Sequence, residues 1–380
     1  MEIGRRTFLG AGALGSIAWW LAACDDSGSP TAGNERPPTP AVESGRFMPG
    51  EDAPHAATWM CFPGRTDVWG SELPDVQAAI ADLGLTIAEF EPVRMLVRPG
   101  DLTIAEDLLG SDIELIAAPV DDLWARDTLP LFLVTDDGHL AAGRVRFNGW
   151  GGKQVHDGDE QLAALVADVL GIELVDSGVV GEGGGVETDG DGTLLAARSS
   201  WVNDNRNPGM PEDEIADRLV ALLGADRLLW VDGVAGADIT DGHIDTLARF
   251  VDPRTIVHEF PSYVDPGETW YDLAVDTAAE LDAVTTLDGE PYRLVRLDQP
   301  ATQRRTGDEF LASYVNYYVC NGAVIVSQYG DATADGRAAE LIGELHPGRQ
   351  VVAVDFDPVA AGGGGVHCAT QQEPAVKRRR

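Results

Sequence analysis

The chain has 380 residues, 44% of them apolar, and a formal charge of −36, with lysine present only as Lys153 and Lys377. There is ample chain for a large core, and no basic face for phosphate, which excludes nucleic acid as a partner. A field this negative attracts small cations and equally serves solubility, including solubility in high salt.

Residues 1–24 read as an export segment. Arg5-Arg6-Thr7-Phe8-Leu9 opens with paired arginines, and the apolar run from Phe8 to Ala23 follows. That run is short for a membrane span and has the charged-then-apolar order of a signal peptide. Twin arginines point to the route that exports folded proteins. Leu21-Ala22-Ala23-Cys24 resembles a bacterial lipobox, which implies cleavage before Cys24 and lipid on its sulfur; an uncleaved signal anchor is the alternative. Residues 25–46, rich in Ser, Pro, Thr and Gly, read as a polar tether. On this reading the protein is extracytoplasmic and meets the membrane only through a lipid anchor.

Residues 47–376 read as a single α/β domain. Strand-like runs are Val93–Val97, Ile113–Ala117, Leu131–Val134, Leu140–Phe147, Thr193–Ala197, Leu228–Val231, Thr255–Phe260 and Ala323–Ser327. Amphipathic stretches fall at Pro74–Phe90, Gln161–Leu170, Pro211–Leu223 and Gly336–Leu345, with Pro74 and Pro211 where a first helical turn accepts proline. No Gly-x-Gly-x-x-Gly opens a helix after a strand, which argues against a dinucleotide fold. No internal repeat is visible by eye.

Polar residues gather in turns. Trp124-Ala125-Arg126-Asp127 follows a strand-like run, and Phe147 to Lys153 is glycine-rich. Gly181-Glu182-Gly183-Gly184-Gly185 sets a carboxylate among glycines, and Asp189 to Gly192 has the chemistry of a hairpin turn. Asn205-Arg206-Asn207-Pro208 marks another loop, and Asp241-Gly242-His243-Ile244-Asp245 precedes an apolar run. Taken singly, Asp127 is half of a surface ion pair, Glu182 is turn chemistry and His243 is a structural histidine. On a strand, His243 and Asp245 would share one face and point into a common pocket. A metal reading of that pair lacks a third ligand at a familiar spacing.

Four cysteines are present. Cys61 and Cys320 sit in apolar runs that read as buried strand, and a disulfide between them is one option for an exported protein. Cys368 differs, because it follows the run Gly362 to Gly365 by three residues. Four glycines let another molecule approach the backbone closely, which suits a nucleophile at a pocket floor and suits equally a flexible linker beside a buried thiol. His367, next to it, would point away from the thiol in an extended segment and reads as structural.

As a set, these motifs resemble the agmatine deiminases and the bacterial-type peptidylarginine deiminases of the guanidine-modifying superfamily. The resemblance spans residues 47–374 and includes His55 to Met60, Pro63 and Trp69. It departs at Gly365, where agmatine deiminases usually carry Asn, and at Ala197 to Trp201, which replaces a Glu-Glu-Cys stretch. It implies the pentein fold, a pseudo-fivefold α/β propeller of ββαβ modules with a central active site. It implies hydrolysis of a small cationic guanidine without cofactor or metal: agmatine to N-carbamoylputrescine and ammonia, or arginine or peptidylarginine to a citrulline. Cys368 would attack the guanidinium carbon, while Asp127 and Asp245 grip its nitrogens. Glu182 would contact the substrate and support His243, the acid and base. Trp124 would cover the aliphatic part, and Asp241 would add a substrate contact. From another class, an acidic lipoprotein that binds cationic amines would need no nucleophile. The sequence leaves the oligomeric state open.

Overall fold

The computed structural model describes residues 45–307 and 309–376. The export segment, Cys24 and the tether up to residue 44 lie outside the described residues.

The strands form five small sheets built to one plan. A short strand pairs antiparallel with a central strand, a helix follows, and a third strand returns parallel to the central one. In chain order the first complete module is Leu131–Thr135, Leu140–Arg146, helix Leu162–Leu170 and Leu174–Val180. The next is Val186–Thr188, Thr193–Ala197, helix Glu212–Leu223 and Arg227–Val231. Two more follow, centred on Thr255–Phe260 with helix Thr269–Asp282 and on Ala323–Gln328 with helix Ala332–Leu345. Their entering strands are Ala248–Asp252 and Tyr318–Cys320.

The fifth module joins the two ends of the domain. Its central strand is His55–Cys61, its helix Leu73–Ala88 and its parallel partner Val93–Val97, which pairs on to Glu114–Ala117. The antiparallel strand comes from the far end of the chain, Gln371–Pro374, with Gln371 opposite Trp59. This is the five-module α/β architecture expected for a pentein. The repeat escaped the eye because it lies in topology and burial, which different side chains satisfy.

Central strands are covered on both faces, so they read as continuous apolar runs without alternation. All of Thr193–Ala197 and six of the seven residues of His55–Cys61 are buried. Helices close the outer faces. The Asp331 side chain accepts from the Thr333 and Ala334 amides and starts one helix, four residues before the expected Gly336. Gly171 and Gly224 end two others in the left-handed region. Ile80, Leu83, Met60 and Phe62 share a cluster that runs inward to Trp124, Trp150 and Cys368. Each large side chain buried there contributes roughly 1.5–3 kcal/mol, so Cys368 rests against well-packed walls. Cys61, Cys320 and Cys368 are all free thiols, which removes the disulfide option.

Candidate active site

Each module is entered through a tight turn, and these turns carry the polar motifs. Asp127 lies in the single helical turn Ala125–Thr128, before strand Leu131–Thr135. Glu182 precedes the 3-10 turn Gly183–Gly185, which leads into Val186–Thr188. His243 caps a second 3-10 turn, Ile244–Thr246, that contains Asp245. The two are therefore not on one face of a strand, as their spacing suggested; the turn aims both inward. Cys368 lies ahead of Gln371–Pro374.

The turns converge. Cys368 Sγ is 3.6 Å from Asp245 Oδ2. His243 Nδ1 is 3.7 Å from Asp127 Oδ1, and its Nε2 is 3.3 Å from Glu182 Oε2. Gly184 marks where they meet. A Cβ there would stand 2.7 Å from His243 Nδ1, 2.9 Å from Asp127 Oδ1 and 3.1 Å from Asp245 Oδ2. The glycine keeps open the space that these three groups surround. All five side chains are buried, Cys368 being the most exposed at 7%. A separate surface cavity of about 650 Å³, lined by Arg144, Arg146 and Phe147 among others, holds none of them.

Positioning extends outward from each group. Asp127 Oδ2 accepts from the Trp150 indole at 2.9 Å and Oδ1 from the Gly184 amide at 3.0 Å. Glu182 takes Arg206 Nε at 2.9 Å on each oxygen. Asp245 Oδ2 meets His367 Nδ1 at 2.8 Å, while His367 Nε2 meets Glu51 Oε2 at 2.8 Å. His367 thus holds Asp245 from behind. Glu51 in turn pairs with Arg249 at 2.9 Å and Arg126 at 3.2 Å.

The electrostatics sort the roles. Burial pushes the Cys368 thiol well above its usual range, and the charges of Asp245 and Asp127 push the same way. Burial opposes protonation of His243, yet Asp127, the Glu182 hydrogen bond and the further charges carry it up to about 9. Burial would raise Asp245, but His367 and His243 hold it below the ordinary carboxylate value. Asp127 is raised, by burial first and then by Asp245 and Glu182. These shifts favour a protonated thiol and a protonated imidazole, with carboxylates on both sides of the space left by Gly184.

Two expected substrate contacts fare differently. Trp124 packs in the same cluster as Cys368, with its indole donating to Asp122 Oδ2 at 3.1 Å and its ring 6.1 Å from that of Trp69. A Cβ at Gly364 would strike its ring at 2.2 Å, and one at Gly362 would strike Trp69 at 2.3 Å. The glycine run thus seats two tryptophans and is not a flexible linker. Asp241 already has protein partners on both oxygens. Its Oδ2 accepts from Arg206 at 2.7 Å, Lys153 at 2.8 Å and Asn205 at 2.9 Å, and its Oδ1 from the Gly236 amide at 2.8 Å. With its carboxylate so filled, and pushed down to about 2, it serves to hold Arg206. Its left-handed φ of 62° turns it to that partner.

A family model for the Porphyromonas-type peptidyl-arginine deiminase matches residues 47–374. The chain belongs to that family. Within the family it resembles a Legionella pneumophila protein and a Streptomyces avermitilis protein, each named "Putative agmatine deiminase". The first is 33% identical over 88% of this chain and 97% of the relative, the second 35% over 88% and 99%. Among solved structures, the agmatine deiminase of Enterococcus faecalis superposes with a TM-score of 0.81 at 28% identity, covering 87% of this chain and 96% of that one. A Porphyromonas gingivalis protein titled "Putative Arginine Deiminase" gives 0.79 at 33%, over 88% and 100%. These family likenesses extend over the whole five-module domain, and so does the pentein fold.

Several site residues were missed from sequence. Arg206 stands in a motif that was noticed, but as a loop marker. Asn316 had a signal of its own, an amide inside the apolar run Tyr314-Val315-Asn316-Tyr317-Tyr318. Glu51 had none.

Proposed function

We propose that this family member is a cysteine-dependent guanidine deiminase acting on agmatine, releasing N-carbamoylputrescine and ammonia. The convergence of Cys368, His243, Asp127, Glu182 and Asp245 around Gly184 carries the reading. A guanidinium is planar, cationic and poorly electrophilic, so it needs a good nucleophile and charged acceptors that fix its plane.

Asp127 and Asp245 grip the guanidinium nitrogens, and Glu182 supports His243. Burial and then the two carboxylates hold the thiol protonated; the incoming cation offsets them, so binding drives the Cys368 proton out to solvent. The thiolate attacks the guanidinium carbon to give a tetrahedral adduct. His243, protonated at rest, gives its proton to the departing nitrogen, and ammonia leaves an S-alkylthiouronium. Water then attacks the thiouronium carbon and gives one proton to His243; the C–S bond breaks as the hydroxyl proton passes to sulfur, and the ammonia takes up the proton first lost from Cys368. Net, one guanidinium and one water give a ureido product and ammonium. Trp124 lines the path for the aliphatic chain.

The relatives' names support agmatine, and so does burial. A site whose reacting groups are at most 7% exposed suits a slender free amine better than an arginine within a peptide. The test is a ureido-product assay with agmatine, free arginine and an arginine peptide, run beside Cys368→Ser. Agmatine is expected to turn over fastest, with no product from the variant. Faster turnover of the peptide overturns the substrate assignment, and product from Cys368→Ser overturns the mechanism.

The export reading belongs to the same proposal. Residues 1–24 direct twin-arginine export, Cys24 carries the lipid, residues 25–46 are a tether, and 47–376 are the catalytic domain. Among the described residues no helix is long and apolar enough to cross a membrane. Mass spectrometry of the mature N-terminus checks it: a diacylated Cys24 is expected, and an unmodified chain beginning at Met1 contradicts it.

A further inference from the structure

Four of the five module-entry turns supply the groups discussed so far. The fifth enters strand Tyr318–Cys320 and carries Asn316 two residues ahead of it. We propose that Asn316 is a further catalytic residue, whose carboxamide N–H stabilises the Cys368 thiolate while its oxygen fixes the backbone that carries the sulfur. This rests on Cys368 being the nucleophile.

The contacts are specific. Asn316 Nδ2 is 3.2 Å from Cys368 Sγ, 3.2 Å from Asp245 Oδ2 and 3.3 Å from the Asp245 carbonyl. Its Oδ1 accepts from the His367 amide at 3.1 Å and the Cys368 amide at 3.4 Å, and lies 3.5 Å from the sulfur. Two backbone N–H groups converging on one atom settle which end of the amide is oxygen, so the NH2 end faces the sulfur and the carboxylate. The residue is buried, and the His367 amide also donates to the Asn316 carbonyl at 3.3 Å.

Gly365 makes this arrangement possible. A Cβ at 365 would stand 2.4 Å from Asn316 Oδ1, so any side chain there displaces the amide. The charged groups facing the sulfur, Asp245 and Asp127, both resist its ionisation, with burial the larger obstacle. Against them stand Asn316 and a backbone contact with Gly365. A neutral donor suits this place. It favours thiolate without forming an ion pair that would lower nucleophilicity, and it costs nothing when the substrate cation arrives.

The readout is the pH dependence of Cys368 alkylation by iodoacetamide in the full-length protein, followed by peptide mass, for wild type, Asn316→Asp and Gly365→Ala. Cys368→Ser is the blank. Asn316→Asp keeps the shape and replaces the donor by an acceptor. Its alkylation midpoint is expected to rise by about one pH unit, with a rate about tenfold lower at neutral pH. Gly365→Ala is expected to shift the profile the same way, and carries the comparison if the Asp variant does not fold. Profiles that superimpose on wild type, with or without a loss of thermal stability, overturn the proposal. A shifted midpoint in the variants, beside a wild-type protein that makes no ureido product, upholds Asn316 and overturns the deiminase reading instead, so the two failures are distinguishable.

Discussion

Burial alone would make His243 a poor base and a worse cation. Asp127 and Glu182 reverse this and carry it up to about 9, so in the proposed mechanism it enters the reaction holding the proton that ammonia needs. The corresponding stability is fully present below about pH 6.5, the ordinary histidine value, and is lost as pH rises through about 9. The turnover rate should therefore fall above about pH 9, and His243→Asn should lower it by about 10²–10⁴-fold at neutral pH. A kcat–pH profile of both proteins checks this. Gly184 offers a second test at the same scale. Its backbone accepts alanine, since its φ is not in the left-handed region, but the methyl would fill the space between His243, Asp127 and Asp245. Gly184→Ala should keep the wild-type circular dichroism spectrum and lose at least about 100-fold in kcat/KM.

At the scale of elements, the strands bury charge wherever a module needs a link, and one such link is left incomplete. Glu259, on central strand Thr255–Phe260, accepts from Gln299 through one oxygen while the other is buried with no well-formed hydrogen bond, the Ser313 side chain being too poorly aligned to offset its burial. Burial raises its carboxyl to about 8 from an ordinary value near 4.5. Its contribution to stability is present below about pH 4.5 and lost as pH rises through about 8. Glu259→Gln should therefore unfold at a higher temperature than wild type, by a margin that widens from acid to pH 8.5 in a thermal melt. The same elements show what sequence could convey. Largely buried central strands such as Ala323–Gln328 announce themselves as apolar runs. Helix Thr269–Asp282 did not, because its buried face, formed by Leu273, Ala274, Thr277 and Leu281, is narrow and itself includes a threonine. The turns that carry Glu182, His243, Asp245 and Cys368 were legible because glycines flank them, and that of Asp127 because a polar Arg-Asp pair interrupts an apolar stretch. What each side chain touches was not, since Asp241 and Asp127 look alike in one dimension, while in the fold Asp241 is filled by Arg206, Lys153 and Asn205 and Asp127 faces His243.

Over the whole molecule, the ring of modules is closed by its two ends, and the N-terminal end also reaches the site. Burial would raise Glu51, but Arg249, His367 and Arg126 hold it well below the ordinary carboxylate range. Through His367 it backs Asp245. No local pattern announces such a link between residues 316 positions apart. Removing residues 1–44 should leave kcat/KM within about twofold of wild type, while removal through Asp52, which takes Glu51, should abolish activity and cost roughly 3–5 kcal/mol of stability by stranding Arg249 and His367. Activity and thermal melts of the two truncations check this.

Everything in the mechanism passes through one covalent bond between Cys368 and the substrate's guanidinium carbon. Rapid acid quench of the enzyme during agmatine turnover, followed by peptide mass spectrometry, reads that bond directly. The account predicts an added mass of agmatine less ammonia on the peptide containing Cys368, absent in Cys368→Ser. Steady ureido production with that peptide unmodified at every quench time, and with the serine variant still active, would contradict it.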